Sequence, residues 1–173
     1  MPYILALILC ASVAAPSSPG ATATSDASSD SLWAYRDRFA ASATHVSVRM
    51  HGMSPVTTTE PSREYTYLEK AHDALIEASW LLTWTCDIVH MQREMCEPQR
   101  AQYKPVVTDR MRRTRDTLVA LQSLLTNNAH PGDQETMIEI LARNRDLNAA
   151  ARALDSMLER MIGETAATGG SSH

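Results

Sequence analysis

Apolar residues recur every three or four positions along most of the chain, and this spacing constrains the fold more than any other feature. Such spacing gathers apolar side chains on one face of an α-helix, whereas a half-buried strand needs strict alternation. The pattern occupies residues 30–51, about 60–97, 105–127 and 133–163. No stretch alternates as a strand would, and aromatic residues, which strands favour, make up only 5% of the chain. We therefore expect an all-α protein.

Capping and breaking residues mark where the four helices should begin and end. Asp30 is placed to cap the first helix, and Gly52 ends it. Pro98 stops the second helix, and Pro105 suits the first turn of the third. Asp133 is placed to cap the fourth helix. Because the connections are short, we predict an antiparallel up-down four-helix bundle over residues 30–163, with a long second helix as its longest.

Each helix presents a regular apolar stripe that should be buried. The first carries Leu32, Tyr35, Phe39, Ala43, Val46 and Met50. The third carries Val107, Met111, Thr114, Leu118, Leu121 and Leu125, and the fourth carries Met137, Leu141, Asn144, Leu147, Ala151, Leu154, Leu158 and Met161. The second helix has one stripe through Tyr65, Leu68, His72, Leu75, Ser79, Leu82, Cys86 and Val89, and another through Ala71, Ala74, Ala78, Leu81 and Ile88. It therefore needs neighbours on both sides.

The first residues predict export. An apolar run over residues 3–15 is followed by small polar residues over 16–31. The run is shorter than the roughly 18–20 residues that span a bilayer, and it matches a secretory signal cleaved after Ala21-Thr22-Ala23. We expect a signal peptide over 1–23, a flexible linker over 24–29, a disordered tail over 164–173, and a periplasmic or secreted product without a transmembrane segment. The alternative is an apolar N-terminal helix docked on the domain.

Composition and motifs narrow the function without identifying a reaction. The formal charge is −4, which does not suggest a nucleic-acid-binding protein. There is no Ser/His/Asp elbow, no Cys-x-x-Cys and no glycine-rich phosphate loop, so we expect neither catalysis nor a cofactor. A small bundle enzyme stays an alternative, because such enzymes assemble their sites from different helices.

Two cysteines follow the predicted signal peptide, Cys86 and Cys96. An oxidising compartment favours pairing them. Ten residues of unbroken helix, however, would hold their Cα atoms about 15 Å apart, and a disulfide needs about 7 Å or less. We therefore predict two unpaired thiols within the chain. Cys96, near the helix end, is then available to a partner chain, so a homodimer through Cys96 or through the second helix is a further expectation.

A metal site is the second functional alternative. Cys86, His90 and Glu94 follow one another at four-residue intervals and so share one face of the second helix. Thiolate and imidazole ligands would suit copper. This pattern would make the protein a metal-binding protein of the cell envelope. Ordinary core and surface roles for the three residues are the favoured interpretation.

Four arginines, at positions 110, 112, 113 and 115, crowd the third helix. Such a cluster can bind an anionic partner. The favoured alternative is neutralisation by the acidic residues between Asp87 and Glu94 on the second helix, which hairpin geometry places at the same level.

Trp80 and Trp84 lie four residues apart in a segment that is apolar nearly all round. Core packing is the favoured role for such a pair. If both side chains project outward, they form an aromatic patch that binds a partner. The sequence thus predicts an exported helical bundle that binds another protein through a helix face, with Trp80, Trp84 and the four arginines as candidate binding residues.

Overall fold

The chain folds into four α-helices, and the prediction of an all-α four-helix bundle is confirmed. The computed structural model describes residues 23–53, 62–127 and 134–169. Helix accounts for 97% of these residues, and no strand occurs among them. The helices are α1 (Ala23–Gly52), α2 (Arg63–Glu94), α3 (Glu97–Asn127) and α4 (Gln134–Gly169). Each packs on the next, and α4 closes the ring on α1.

Polar contacts between helices fix their antiparallel register. The amide of Asn144 on α4 donates to the hydroxyl of Thr126 on α3 at 2.8 Å. Eleven residues further along α4, Asp155 pairs with Arg115, which lies eleven residues back along α3. The two chain directions are therefore opposite.

The bundle interior is made of the predicted stripes. All six residues predicted to be buried on α3 are buried, as are Leu32, Phe39, Ala43 and Val46 of α1. On α4 the stripe begins differently, because Ile140 is buried and the predicted Leu141 is largely exposed. Two apolar residues stand side by side there, and only one can point inward.

Apart from α2, which ends at Glu94 and not at Pro98 as expected, three helix ends differ from the prediction. α1 begins at Ala23, so residues 24–29 are helical and not a linker. α4 continues past Gly163 to Gly169 and, at 36 residues, is longer than α2 at 32. The residues added at the start of α1 and at the end of α4 contain no proline. The glycine inside the extended α4, Gly163, costs only about 1 kcal/mol. The described part of the predicted tail is therefore helical, and the expectation that α2 would be longest is wrong.

The third difference is the start of α3, which lies eight residues before Pro105. Pro98 occupies the first turn, where its missing N–H is not needed, and Pro105 lies inside the helix. Only Met95 and Cys96 separate α2 from α3. The Arg100 guanidinium donates to the carbonyls of Arg93 and Met95, both at 3.1 Å, and so satisfies acceptors that the end of α2 leaves open.

The predicted signal peptide falls almost wholly on residues 1–22, which lie outside the described residues, as do the tail residues 170–173. Within the described ranges, no helix has the length and apolar character needed to cross a membrane. Asp133, the predicted cap of α4, and the rest of the connection over 128–133 also lie outside these ranges.

Candidate protein-binding face

Trp80 and Trp84 project into solvent on the outer face of α2. Their exposed fractions are 61% and 57%. Leu75, Leu82 and Val89, which are buried, lie on the opposite side of the same helix. Core packing, the favoured role from sequence, is therefore not the role of this pair. Two exposed tryptophans one helical turn apart form an apolar patch of the kind that marks interaction sites in other proteins.

The exposed apolar surface continues onto the neighbouring helix. Met91 follows Trp84 seven residues later on the same face of α2, and Tyr103 and Val106 are exposed on α3. The Arg110 guanidinium lies over the Trp84 ring, 5.9 Å from its centroid, and so joins the two helices across this surface. We call this surface the α2–α3 face; it consists of Trp80, Trp84, Met91, Tyr103, Val106, Arg110 and Arg113.

The four arginines divide between this face and other surroundings. Arg113 is exposed and pairs with Asp109 one turn away at 2.9 Å. Arg115 reaches Asp155 of α4 at 3.1 Å. Arg112 is exposed on the side of α3 that turns away from α2. The cluster is therefore not one continuous basic patch.

The predicted neutralisation of these arginines by α2 takes a different form. The Thr85 and Thr114 hydroxyls lie 2.8 Å apart, so in this antiparallel pair the arginine cluster lies level with about residues 84–89 of α2 rather than with Asp87 to Glu94. The ion pairs described for Arg113 and Arg115 go to acids of α3 and α4. Exposed pairs of this kind contribute little to stability, about 0–1 kcal/mol each.

The three predicted metal ligands on α2 are not brought together. Cys86 is buried, whereas His90 and Glu94 are exposed. Burial raises the pKa of the Cys86 thiol to about 11, and the neighbouring Asp87 carboxylate adds to the rise. In the described ranges, no group of three or more His, Cys, Asp or Glu residues could hold a metal ion. Cys86 and Cys96 are both free, as predicted, although α2 ends at Glu94 and Cys96 lies in the connection to α3 rather than in an unbroken helix.

A serine, a glutamate and a histidine meet where α1 packs on α4. The Ser42 hydroxyl donates to the Glu139 carboxylate at 2.7 Å, and His45 Nε2 lies 3.4 Å from the other carboxylate oxygen. In a catalytic triad the histidine stands between serine and carboxylate, where it can accept the hydroxyl proton. Here the carboxylate occupies the middle, so the histidine cannot activate the serine in this arrangement.

The sequence indicated part of the α2–α3 face, although the apolar composition of the segment around Trp80 and Trp84 favoured core packing. Neither Trp80 nor Trp84 falls on either stripe that marks the buried sides of α2. Tyr103 escaped notice because the third helix was expected to begin after it, at Pro105. The spacing could thus have indicated the outward orientation of the Trp pair, whereas Tyr103 could be placed only once the start of α3 was known.

No protein-family model matches this chain, and no curated protein or solved structure matches it either. A function must therefore be argued from the chain's own residues.

Proposed function

We propose that this chain is an exported helical bundle that binds another protein through the α2–α3 face. The observation that carries the proposal is the outward orientation of Trp80 and Trp84. Burying a large apolar side chain contributes roughly 1.5–3 kcal/mol, and this pair leaves much of that contribution unused. Aromatic residues, Met and Arg are the types enriched where proteins bind one another. The α2–α3 face combines all three.

The frame beneath the face supports this role. Cys86, Val89, Met111 and Leu118 lie buried under it, so the exposed side chains stand on two helices anchored in the core. The Arg110–Trp84 contact further restricts one of the two indoles. A surface built on packed helices loses less conformational entropy when it binds than one built on loops. These features favour a preformed binding surface.

The proposal is tested by replacing the two tryptophans. The double variant Trp80→Ala with Trp84→Ala should capture partner proteins from an extract of the native compartment at least tenfold less well than the unaltered chain. Central aromatic residues typically account for losses of about 2 kcal/mol or more each. Quantitative mass spectrometry of the captured proteins gives the measurement.

A matched control removes exposed apolar side chains elsewhere. Val48 on α1 and Ile138 on α4 are about as exposed as the tryptophans but lie on other helices. Their double alanine variant should capture the same proteins as the unaltered chain. Equal loss in both double variants, or no loss in the tryptophan variant, would contradict the proposal.

Export is the second part of the proposal and has its own test. The apolar run over residues 3–15 and the small residues after it support cleavage before the bundle begins. Intact-mass measurement on the exported protein should place the first residue within positions 15–26. A chain that keeps Met1, or that stays inside the cell, would contradict this part alone.

A further inference from the structure

We propose that the partner of the α2–α3 face presents a carboxylate, from Asp or Glu, flanked by large apolar side chains, and that Arg110 binds this carboxylate. The inference rests on the proposed function, because it names the chemistry of the partner at the same face. It follows from the surroundings of the Arg110 side chain, which is half-buried and permanently charged.

Arg110 differs from the other partly buried arginines in lacking a counter-charge. Three described arginines have an Nε atom that is closed off from solvent and has no hydrogen-bond partner, namely Arg110, Arg115 and Arg143. Arg115 and Arg143 nevertheless each form an ion pair with an aspartate, at 3.1 and 2.7 Å. Within the described ranges Arg110 forms no ion pair, and its guanidinium lies over the Trp84 ring instead. A contact of this kind is weaker than a bidentate bond to a carboxylate.

The position of Arg110 places its guanidinium inside the proposed binding surface. Arg110 precedes Thr114, which contacts α2, by four residues and therefore shares the α2-facing side of α3. Val106, four residues earlier on the same side, is 59% exposed, and Trp84 lies across from it on α2. The guanidinium thus lies between apolar side chains of both helices. A partner that covers the Trp84 indole would also cover this charge.

Covering the charge determines what the partner must supply. Removing an unpaired charge from water is costly unless the partner provides an acceptor. The N–H donors of a guanidinium form a planar fork that matches the two oxygens of a carboxylate. A phosphate group also fits this fork, but it carries close to two negative charges.

The neighbouring arginines decide between these two anions. Arg113 already pairs with Asp109 at 2.9 Å, and Arg112 is exposed on the side of α3 that turns away from α2. Arg115 pairs with an aspartate of α4. One available guanidinium matches the single charge of a carboxylate better than the charge of a phosphate.

Peptides from a random library displayed on phage provide the probe. The library is selected on the unaltered full chain and counter-selected on the double variant Trp80→Ala with Trp84→Ala. The enriched peptides should carry Asp or Glu next to aromatic or large aliphatic residues. The strongest binder is then synthesised with its acidic residue and, separately, with the corresponding amide, Asn or Gln, in that position. Isothermal titration calorimetry gives the dissociation constants of both forms.

The variant Arg110→Met shows whether Arg110 reads the acidic residue. On the unaltered chain, the amide form should bind about 30-fold more weakly than the acidic form, because it leaves Arg110 covered without a counter-charge. On Arg110→Met, which removes the charge, the two forms should differ by less than about threefold. Comparing the two forms on each chain cancels any change in the apolar contacts.

Arg112→Met is the matched control, since Arg112 is an exposed arginine of the same helix on the side away from α2. It should keep the full preference for the acidic form, and circular dichroism should show both variants as helical as the unaltered chain. Enriched peptides without an acidic residue, or a preference that persists in Arg110→Met, would overturn the inference and leave the proposed function standing. If no peptide survives the counter-selection, the proposed function and the inference fail together.

Discussion

The buried hydroxyls of Thr85 and Thr114 determine which residues of α2 and α3 lie side by side. Both side chains are fully buried, and Thr85 Oγ1 also lies 2.8 Å from the Leu81 carbonyl. A hydroxyl has one proton, so if Thr85 donates to Leu81, Thr114 must be the donor between the two threonines. The pair is therefore directional, and its two members are not equivalent.

This directionality predicts unequal effects of valine substitution. Thr85→Val removes the acceptor of the Thr114 hydroxyl and should lower the free energy of unfolding by about 1–3 kcal/mol. Thr114→Val leaves Thr85 bonded to Leu81 and should cost less. The double variant should cost less than the sum of the two, because no hydroxyl then remains unpaired. Urea denaturation provides the values, and equal costs for the single variants would contradict the assigned direction.

The Cys86 thiol makes stability depend on pH in the alkaline range. Burial raises its pKa from 9.0 to about 11, so the folded chain holds the thiol proton more tightly than the unfolded chain does. Below about pH 9 both states are protonated, and the contribution is complete. Between about pH 9 and 11 the unfolded state loses protons first, so stability falls as pH rises.

Comparison with Cys86→Ala isolates this effect. The unaltered chain should lose more stability than the variant between pH 9 and 11, measured by urea denaturation at each pH. Burial also raises the pKa of Tyr67, but that contribution is common to both proteins and cancels. Parallel stability curves would show that the thiol ionises as easily in the folded chain as in the unfolded one.

The contribution of a leucine to stability depends on whether it lies on the buried or the exposed side of its helix, and the structure distinguishes the two cases. Leu121 on α3 and Leu154 on α4 are buried in the bundle, whereas Leu141 on α4 is largely exposed. The first two therefore contribute through packing, and the third does not.

Alanine substitution should reproduce this separation. Leu121→Ala and Leu154→Ala should each lower the free energy of unfolding by about 2–5 kcal/mol, as removal of buried leucines does. Leu141→Ala, the matched control on a helix surface, should change it by no more than about 0.5 kcal/mol. A large cost at Leu141 would mean that the first turns of α4 bury the apolar stripe predicted from the sequence, which includes Leu141.

Helix faces were accessible to sequence reasoning, and helix ends were less so. The stripe on α3 could be read directly, because 3.6 residues per turn determines which side chains share a side. Pro98 was expected to end a helix, but a proline in the first turn costs little and α3 begins there. Pro105 was expected to begin a helix, but α3 continues through it despite the backbone hydrogen bond that an interior proline removes. The orientation of Trp80 could not be predicted in the same way. It depends on which of the apolar sides of α2 packs against another helix, and the sequence pattern alone does not determine that packing.

The four helices form a closed ring whose seams differ in character. The α2–α3 contact is largely apolar around the threonine pair, whereas α1 meets α4 through Ser42–Glu139, His45–Glu139 and a two-point contact from Arg38 to Asp146. Arg143 also reaches Asp146 at 2.7 Å from within α4. The α1–α4 seam therefore depends on hydrogen-bond geometry more than the others do.

The contacts between α1 and α4 should form late in folding, because they join segments that are far apart in the sequence. The α1–α2, α2–α3 and α3–α4 pairs join helices adjacent in sequence, but Ser42 and Glu139 are 97 residues apart. Bringing distant segments together carries the larger entropic cost, so the ring should close after the rate-limiting step. Ser42→Ala should then speed unfolding in stopped-flow experiments and leave the folding rate nearly unchanged. The lifetime of the native bundle, rather than the speed at which it assembles, would thus depend on the contacts of its last-formed seam, of which the Ser42 hydroxyl makes one.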